Sequence, residues 1–140
     1  MILYLDTSAL VKLVVEEDRT PHVRAQVSAV DAVATSRVAY TEACEALARR
    51  REEGRLSMGE LAEVRQHLAD LWPRFAVIEL DERAAGDLAL KHGLCGYAGA
   101  HLAAALALKD KAATAPVVFC SFDARQAQAA VAEGLTVMPG

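Results

Sequence analysis

Cysteine is scarce in this 140-residue sequence, and its three copies, Cys44, Cys95 and Cys120, are an odd number at wide spacing. That pattern excludes a disulfide scaffold and a zinc cluster, and it points to buried, reduced thiols in a cytoplasmic protein. Proline is also rare, with four residues, while 54% of the chain is apolar, which excludes a disordered chain. Long apolar runs are missing. The stretch from Leu102 to Leu108 is far too short to span a bilayer, so no membrane association is expected. The first residues lack a basic segment and their apolar run breaks at Asp6, so no secretory leader is expected. Glycines are absent after the first apolar run, where Asp6-Thr7-Ser8 stands instead. This excludes a dinucleotide fingerprint and a phosphate-binding loop. Positive charge is in slight deficit, with a formal net charge of -4. That balance argues only weakly against a nucleic-acid partner, because clustered acids that bind cations dominate such a sum. Arg49, Arg50, Arg51 and Arg55 form a local basic cluster, as a solvated helix end also would.

What is present is alternation. Ile2 to Leu5 reads as a strand, with Thr7 or Ser8 capping a helix over Ala9 to Val15. Pro21 suits a first helical turn, so a second helix covers 21–29. A strand at 32–35 precedes a long helix, capped by Ser36 and ended by Gly54. Ser57 and Glu60 form a capping box for a helix reaching Leu71. Phe75 to Leu80 returns to strand character, and Asp81 caps a helix to His92, stopped by Gly93. The Ala-rich segment from Gly99 to Lys109 is helical. Val117 to Cys120 is an unbroken apolar run, as in a parallel strand buried on both faces. A helix over 124–132 and a short strand at 135–137 complete the series. The pattern predicts an α/β fold, one domain over 1–140, with a central, mostly parallel sheet of four or five strands between helices.

Three acids stand out in this arrangement. Asp6 follows the first strand, and Asp123 follows the apolar 117–120 strand. Glu42 lies near the start of the long helix, among Val38, Ala39, Ala43 and Leu47. A carboxylate on a part-buried face is costly unless it is paired or coordinates a metal. Each acid alone also reads as a cap or a solvated side chain. Under a parallel topology, however, all of them fall at one end of the sheet, where carboxylates repel unless a divalent cation neutralises them. Hard oxygen donors suit Mg²⁺ or Mn²⁺. Such ions orient and deprotonate water and stabilise charge on a scissile phosphate. Ser8 and Ser121 are candidates to anchor these acids.

On these residues the chain resembles the PIN-domain ribonucleases and, within them, the VapC-type toxins of bacterial toxin–antitoxin pairs. The resemblance is carried over the full length by Leu5-Asp6-Thr7-Ser8-Ala9-Leu10-Val11-Lys12, the Glu42 helix, Gly96-Tyr97-Ala98-Gly99-Ala100-His101-Leu102-Ala103 and Ser121-Phe122-Asp123. It implies a PIN-like α/β/α sandwich, endonucleolytic hydrolysis of RNA, and four acids around Mg²⁺ or Mn²⁺. Asp6, Glu42 and Asp123 match three of those acids. The remaining one belongs three residues before His101-Leu102-Ala103, and there the chain has Ala98. Alanine cannot ligate a metal, so one ion is expected to bind more weakly. Asp110 is about three helical turns away, roughly 18 Å along the axis, and cannot substitute. Replacement of an aspartate to disable the site and a naturally weakened member both fit the sequence.

The resemblance further implies a VapB-like antitoxin crossing the acidic cleft, a homodimer, and operator DNA bound only through the antitoxin complex. Thr7 is a candidate to position a ligand or phosphate, and Arg37 to contact phosphate. Lys12 is a candidate to hold Glu42 or RNA, and Tyr97 to pack at the pocket rim. His101 is expected to make an orienting hydrogen bond or to pack in the core, and Trp72 to anchor a core or interface. Two other readings compete. A non-catalytic module of the same fold that binds RNA or protein draws its support from Ala98. A small-molecule phosphatase is disfavoured, because no nucleophilic phosphatase loop is recognisable.

Overall fold

An all-apolar strand needs neighbours on both edges and cover on both faces, and the strand Ile2–Leu5 (β1) has all of these. The computed structural model describes residues 1–112 and 114–138. In it, β1 pairs in parallel with Ala32–Ser36 (β2) on one side and Val117–Cys120 (β4) on the other. Ala76–Ile78 (β3) adds outside β2, and Thr136–Val137 (β5) adds outside β4. The described sheet has five strands, all parallel, in the order β3-β2-β1-β4-β5. The chain therefore builds outward from β1 in one direction, then returns to build in the other. The crevice between the carboxyl ends of β1 and β4 is the switch point at which open α/β sheets bind ligands.

Side chains alternate across β1. Tyr4 joins Phe119, Leu102, Ala105 and Ala130 on one face, under helices Ala98–Ala112 (α6) and Ala124–Ala132 (α7). Leu3 and Leu5 face the other way, toward Thr7–Val14 (α1) and Thr20–Ala29 (α2), where they meet Ala9, Leu13 and Val23. A further apolar cluster joins α1 to Ala39–Glu52 (α3) and Met58–Leu71 (α4). There Trp72 packs edge-to-face on Tyr40 and Phe75, so it serves the interior, as expected. Glu82–His92 (α5) packs on α6. Layers of helix, sheet and helix make the α/β/α sandwich.

Several boundaries differ from the sequence reading. The cap of α1 is Asp6, not Thr7 or Ser8: its backbone is still extended (φ -78°, ψ 179°) and its carboxylate accepts from the Ala9 amide. Ser36 is the last residue of β2, paired with Ile78, so α3 begins later, at Ala39, without a side-chain cap. The third strand is shorter than 75–80. The capping box of Ser57 and Glu60, the Asp81 cap and the left-handed Gly93 all occur where the sequence puts them.

The α5–α6 contact depends on a bare backbone at Gly99. A Cβ there would lie 2.4 Å from the Ala85 carbonyl oxygen, inside any tolerable separation. Gly86, on the partner helix, has nothing within 4 Å of its would-be Cβ. Gly99→Ala is accordingly expected to lower stability by about 1–3 kcal/mol through overpacking. Gly86→Ala should be neutral or stabilising by up to about 1 kcal/mol from helix propensity. Urea midpoints of the two variants check the contrast, and equal shifts would refute it.

Candidate active site

The last residue of a buried strand is the first free to turn, and at Asp6 the chain turns directly into α1. One carboxylate oxygen, Oδ1, accepts the Ala9 amide at 3.0 Å and the Ser8 hydroxyl at 2.7 Å. The other, Oδ2, accepts the Ser121 hydroxyl at 2.5 Å. Ser8 accepts in turn from the Phe122 amide (2.9 Å), and Ser121 from the Asp123 amide (3.1 Å). The two serines thus lace the end of β1 to the end of β4. Asp123 repeats the arrangement at the start of α7, where its Oδ1 accepts from the Arg125 and Gln126 amides. Both aspartates are helix caps as well as cleft residues.

Glu42 arrives from a third element, in the first turn of α3. Its Oε1 accepts the Thr7 hydroxyl at 2.6 Å and lies 2.8 Å from His101 Nε2. His101 projects from α6 and is buried, with its Nδ1 2.8 Å from the Tyr4 hydroxyl. Asp6, Thr7, Ser8, Glu42, Ala98 and Asp123 all line one cavity of about 490 Å³. His101, Tyr97 and Gln126 also line it, with Tyr97 half exposed at the rim. Ser121 lies beneath it, buried.

Environment sets the two inner acids apart. Burial pushes the Asp6 carboxyl above its ordinary value, against the lowering influence of His101, the two serines and the Ala9 amide. Burial also raises Glu42, but the hydrogen bonds from His101 and Thr7 and the His101 charge bring it net below the usual carboxylate range.

Arg37 and Lys12 each hold an acidic partner within the protein. Arg37 turns away to pair with Glu79, Nε to Oε1 at 3.0 Å, and does not line the cavity. Lys12 does line it but holds Glu17 (3.4 Å) and the Asp18 carbonyl rather than Glu42, with its ammonium over the Phe122 ring. Glu17 also binds Arg50 at 3.2 Å and Arg55 at 3.6 Å, which makes a part-buried ionic node at the cleft edge. A second cavity, of about 350 Å³, adjoins there and shares Glu17 and Arg50. Of the arginine cluster, Arg49 and Arg50 reach the acidic cavity.

Tyr4 and Gln126 were not singled out from sequence. A tyrosine inside the apolar run Ile2–Leu5 was the available signal, since a buried phenol requires a partner. Gln126 donates to the Ala98 carbonyl at 3.4 Å, and nothing in its sequence context announces that.

The donor chemistry suits a hard divalent cation: carboxylate oxygens from three elements, including a buried Asp6 that pairs with no lysine or arginine among the described residues. The number is short. Ala98 contributes no donor, and among the described residues no group of three or more His, Cys, Asp or Glu is placed to hold a metal ion. No described helix is long and apolar enough to cross a membrane.

A parallel α/β/α sandwich with carboxylates on both sides of its switch point and no nucleotide cradle defines the class. The PIN domain model matches residues 3–132. Ribonuclease VapC45 of Mycobacterium tuberculosis (strain CDC 1551 / Oshkosh) is 36% identical over 141 residues, covering 99% of this chain and 95% of that protein. Among solved structures, PAE2754 from Pyrobaculum aerophilum superposes with a TM-score of 0.68 at 20% identity, over 98% of this chain and 83% of that one. VapBC-1 from nontypeable Haemophilus influenzae gives 0.65 at 18% identity, over 99% and 97%. The chain belongs to the PIN-domain family, among its VapC-type ribonucleases.

The buried Asp6 charge makes a stability prediction. Asparagine keeps the capping oxygen and removes the charge, with its NH2 donating to Ser121 Oγ where Asp6 Oδ2 accepts from it. Because the folded-state pKa of Asp6 is raised, its ionisation opposes folding at pH values above that pKa, and the penalty fades as pH falls toward the unfolded value of 3.8. Asp6→Asn is therefore expected to unfold at a higher temperature than the parent at pH 7 in EDTA, with the gain shrinking toward pH 4. Calorimetry across that range checks the sign, and a loss at pH 7 would contradict it.

Proposed function

We propose that the chain is the toxin of a toxin–antitoxin pair, an endoribonuclease dependent on Mg²⁺ or Mn²⁺ whose activity is weakened at Ala98. The observation that carries this reading is the cavity itself. Asp6, Glu42 and Asp123 come from three different elements to line it, and Ala98 stands on the same wall. The ribonuclease name of the 36% identical relative supports RNA as substrate.

Asp6, Glu42 and Asp123 would hold the ion, and Ser8, Ser121 and Thr7 would orient their oxygens. Bound there, the cation would supply Lewis acidity toward a phosphate oxygen and acidify a water. The protein's own part is orientation and charge. Two hydroxyls and an amide fix Asp6. Arg49 and Arg50 offer positive charge where an RNA backbone would enter. Exposed bases and backbone suit an open cleft, so a single-stranded or looped RNA is the expected substrate.

A VapB-like antitoxin would cover the same cleft, presenting Arg or Lys to its carboxylates. The fold likeness to VapBC-1 is consistent with that partnership. We further propose one PIN domain over the whole chain, a homodimer, operator DNA bound only through the antitoxin complex, and a cytoplasmic location. A second reading, a non-catalytic module that binds RNA or protein, rests on Ala98 alone.

Restoring the acid tests the proposal. Ala98→Asp is expected to raise Mn²⁺-dependent RNA cleavage by at least about tenfold. A further Asp6→Ala replacement in that variant should abolish the gain. Folded Ala98→Asp protein that cleaves no cellular RNA, yet binds RNA tightly without metal, would favour the second reading.

A further inference from the structure

Behind Glu42 and Thr7 a hydrogen-bonded chain runs into the core, and its inner members, Tyr4 and His101, have no part in the reaction as proposed. It begins at Tyr4, fully buried in the middle of β1, with its ring edge-on to Phe119 at 5.4 Å. The Tyr4 hydroxyl meets His101 Nδ1 at 2.8 Å. On the far side of the ring, His101 Nε2 lies 2.8 Å from Glu42 Oε1 and 2.9 Å from Thr7 Oγ1. Thr7 closes the figure by donating to the same Glu42 oxygen at 2.6 Å.

Bonding logic fixes the proton on Nε2. Nε2 faces a carboxylate oxygen at hydrogen-bond distance, and two lone pairs there would repel, so Nε2 carries a proton and donates. The Thr7 hydroxyl has one proton, already given to Glu42, so its oxygen can accept from Nε2 as well. In the Nε2–H tautomer Nδ1 is an acceptor, and the Tyr4 hydroxyl supplies the donor. Burial and the nearby Asp6 and Glu42 charges hold the phenol's proton firmly in place.

The result is an asymmetric carboxylate. Glu42 Oε1 receives two donors, whereas Oε2 receives none among the described residues. We infer that His101 is a positioning residue, held by Tyr4 in its Nε2–H form, which with Thr7 ties down Oε1 of Glu42 and so presents Oε2 as the oxygen that binds the divalent cation. This assignment rests on the metal-dependent reading above. It adds which oxygen ligates and which groups outside the ligand set tune it. Support of this kind is worth about 10–100-fold in metal affinity where it has been removed from other sites.

The test uses Mn²⁺ alone and needs no RNA. Long-range ¹H–¹⁵N spectra of the metal-free chain should show His101 protonated at Nε2 and bare at Nδ1, with assignment from the signal lost in His101→Gln. Mn²⁺ affinity is then read by electron paramagnetic resonance in Ala98→Asp protein and in the same protein carrying Tyr4→Phe, His101→Leu or His101→Gln. Circular dichroism verifies that each is folded. Tyr4→Phe keeps the ring packing and, like His101→Leu, should weaken Mn²⁺ about tenfold or more. His101→Gln, whose amide can still donate to Glu42, should retain most of the affinity. An Nδ1–H tautomer would overturn the inference, as would undiminished binding in both Tyr4→Phe and His101→Leu. Absence of Mn²⁺ binding in Ala98→Asp itself would instead overturn the metal-dependent reading and, with it, the assignment of Oε2.

Discussion

A buried carboxylate at the end of the central strand is the constraint around which this molecule is arranged. No lysine or arginine among the described residues pairs with Asp6, which meets its hydrogen-bonding needs locally. The turn into α1 provides the Ala9 amide, and the neighbouring strand provides Ser121. Ser121 would not be within reach if β1 and β4 were not adjacent and in register, Leu5 opposite Cys120. The switch in strand order between these two strands is therefore tied to the acid: the crevice that binds ligands in open sheets is also where the buried charge finds its donors.

From that point the site divides its acids by environment. Asp6 is held by hydroxyls and an amide in a dry setting that favours its neutral form. Glu42, half-buried on α3, is kept ionised by the His101 and Thr7 donors. A divalent cation would favour the ionised form of both. At the cleft edge, Glu17 gathers Lys12, Arg50 and Arg55, so that basic groups stand close to the acids without collapsing onto them. Under the proposed function, this separation would let an anionic backbone approach a crevice that is itself acidic. The formal net charge of -4 conceals it, because a sum says nothing about arrangement.

Much of this was legible in the sequence for physical reasons that act locally. Apolar runs such as Ile2–Leu5 and Val117–Cys120 declare buried parallel strands. Asp81, Ser57 with Glu60, and Gly93 mark helix ends through hydrogen bonds within a few residues of themselves. The acids at strand ends were visible because parallel topology sends every such residue to one edge. Long-range choices were not legible. Arg37, next to a strand end, looked available for phosphate but found Glu79, which lies 42 residues away. Lys12 could have met Glu42, yet the loop after α1 brings Glu17 and the Asp18 carbonyl within its reach. The partnership of Tyr4 with His101, 97 residues apart, follows only once α6 is laid over β1.

The same distinction explains how Ala98 coexists with an otherwise intact site. Asp6 and Asp123 each cap a helix, and Ser8 and Ser121 bind the two strand ends, so replacing any of them by alanine disturbs local structure as well as chemistry. Position 98 differs. It opens α6, and its hydrogen bonds run through the main chain, with its amide bonded to the Cys95 carbonyl and its own carbonyl to Gln126. The next residue, Gly99, fixes the helix against α5 by having no side chain at all. A side chain at 98 is thus free to serve the cavity or to be lost from it while α6 stays docked. Of the four positions that the family pattern assigns to acids, this is one where chemistry can be removed and the fold retained.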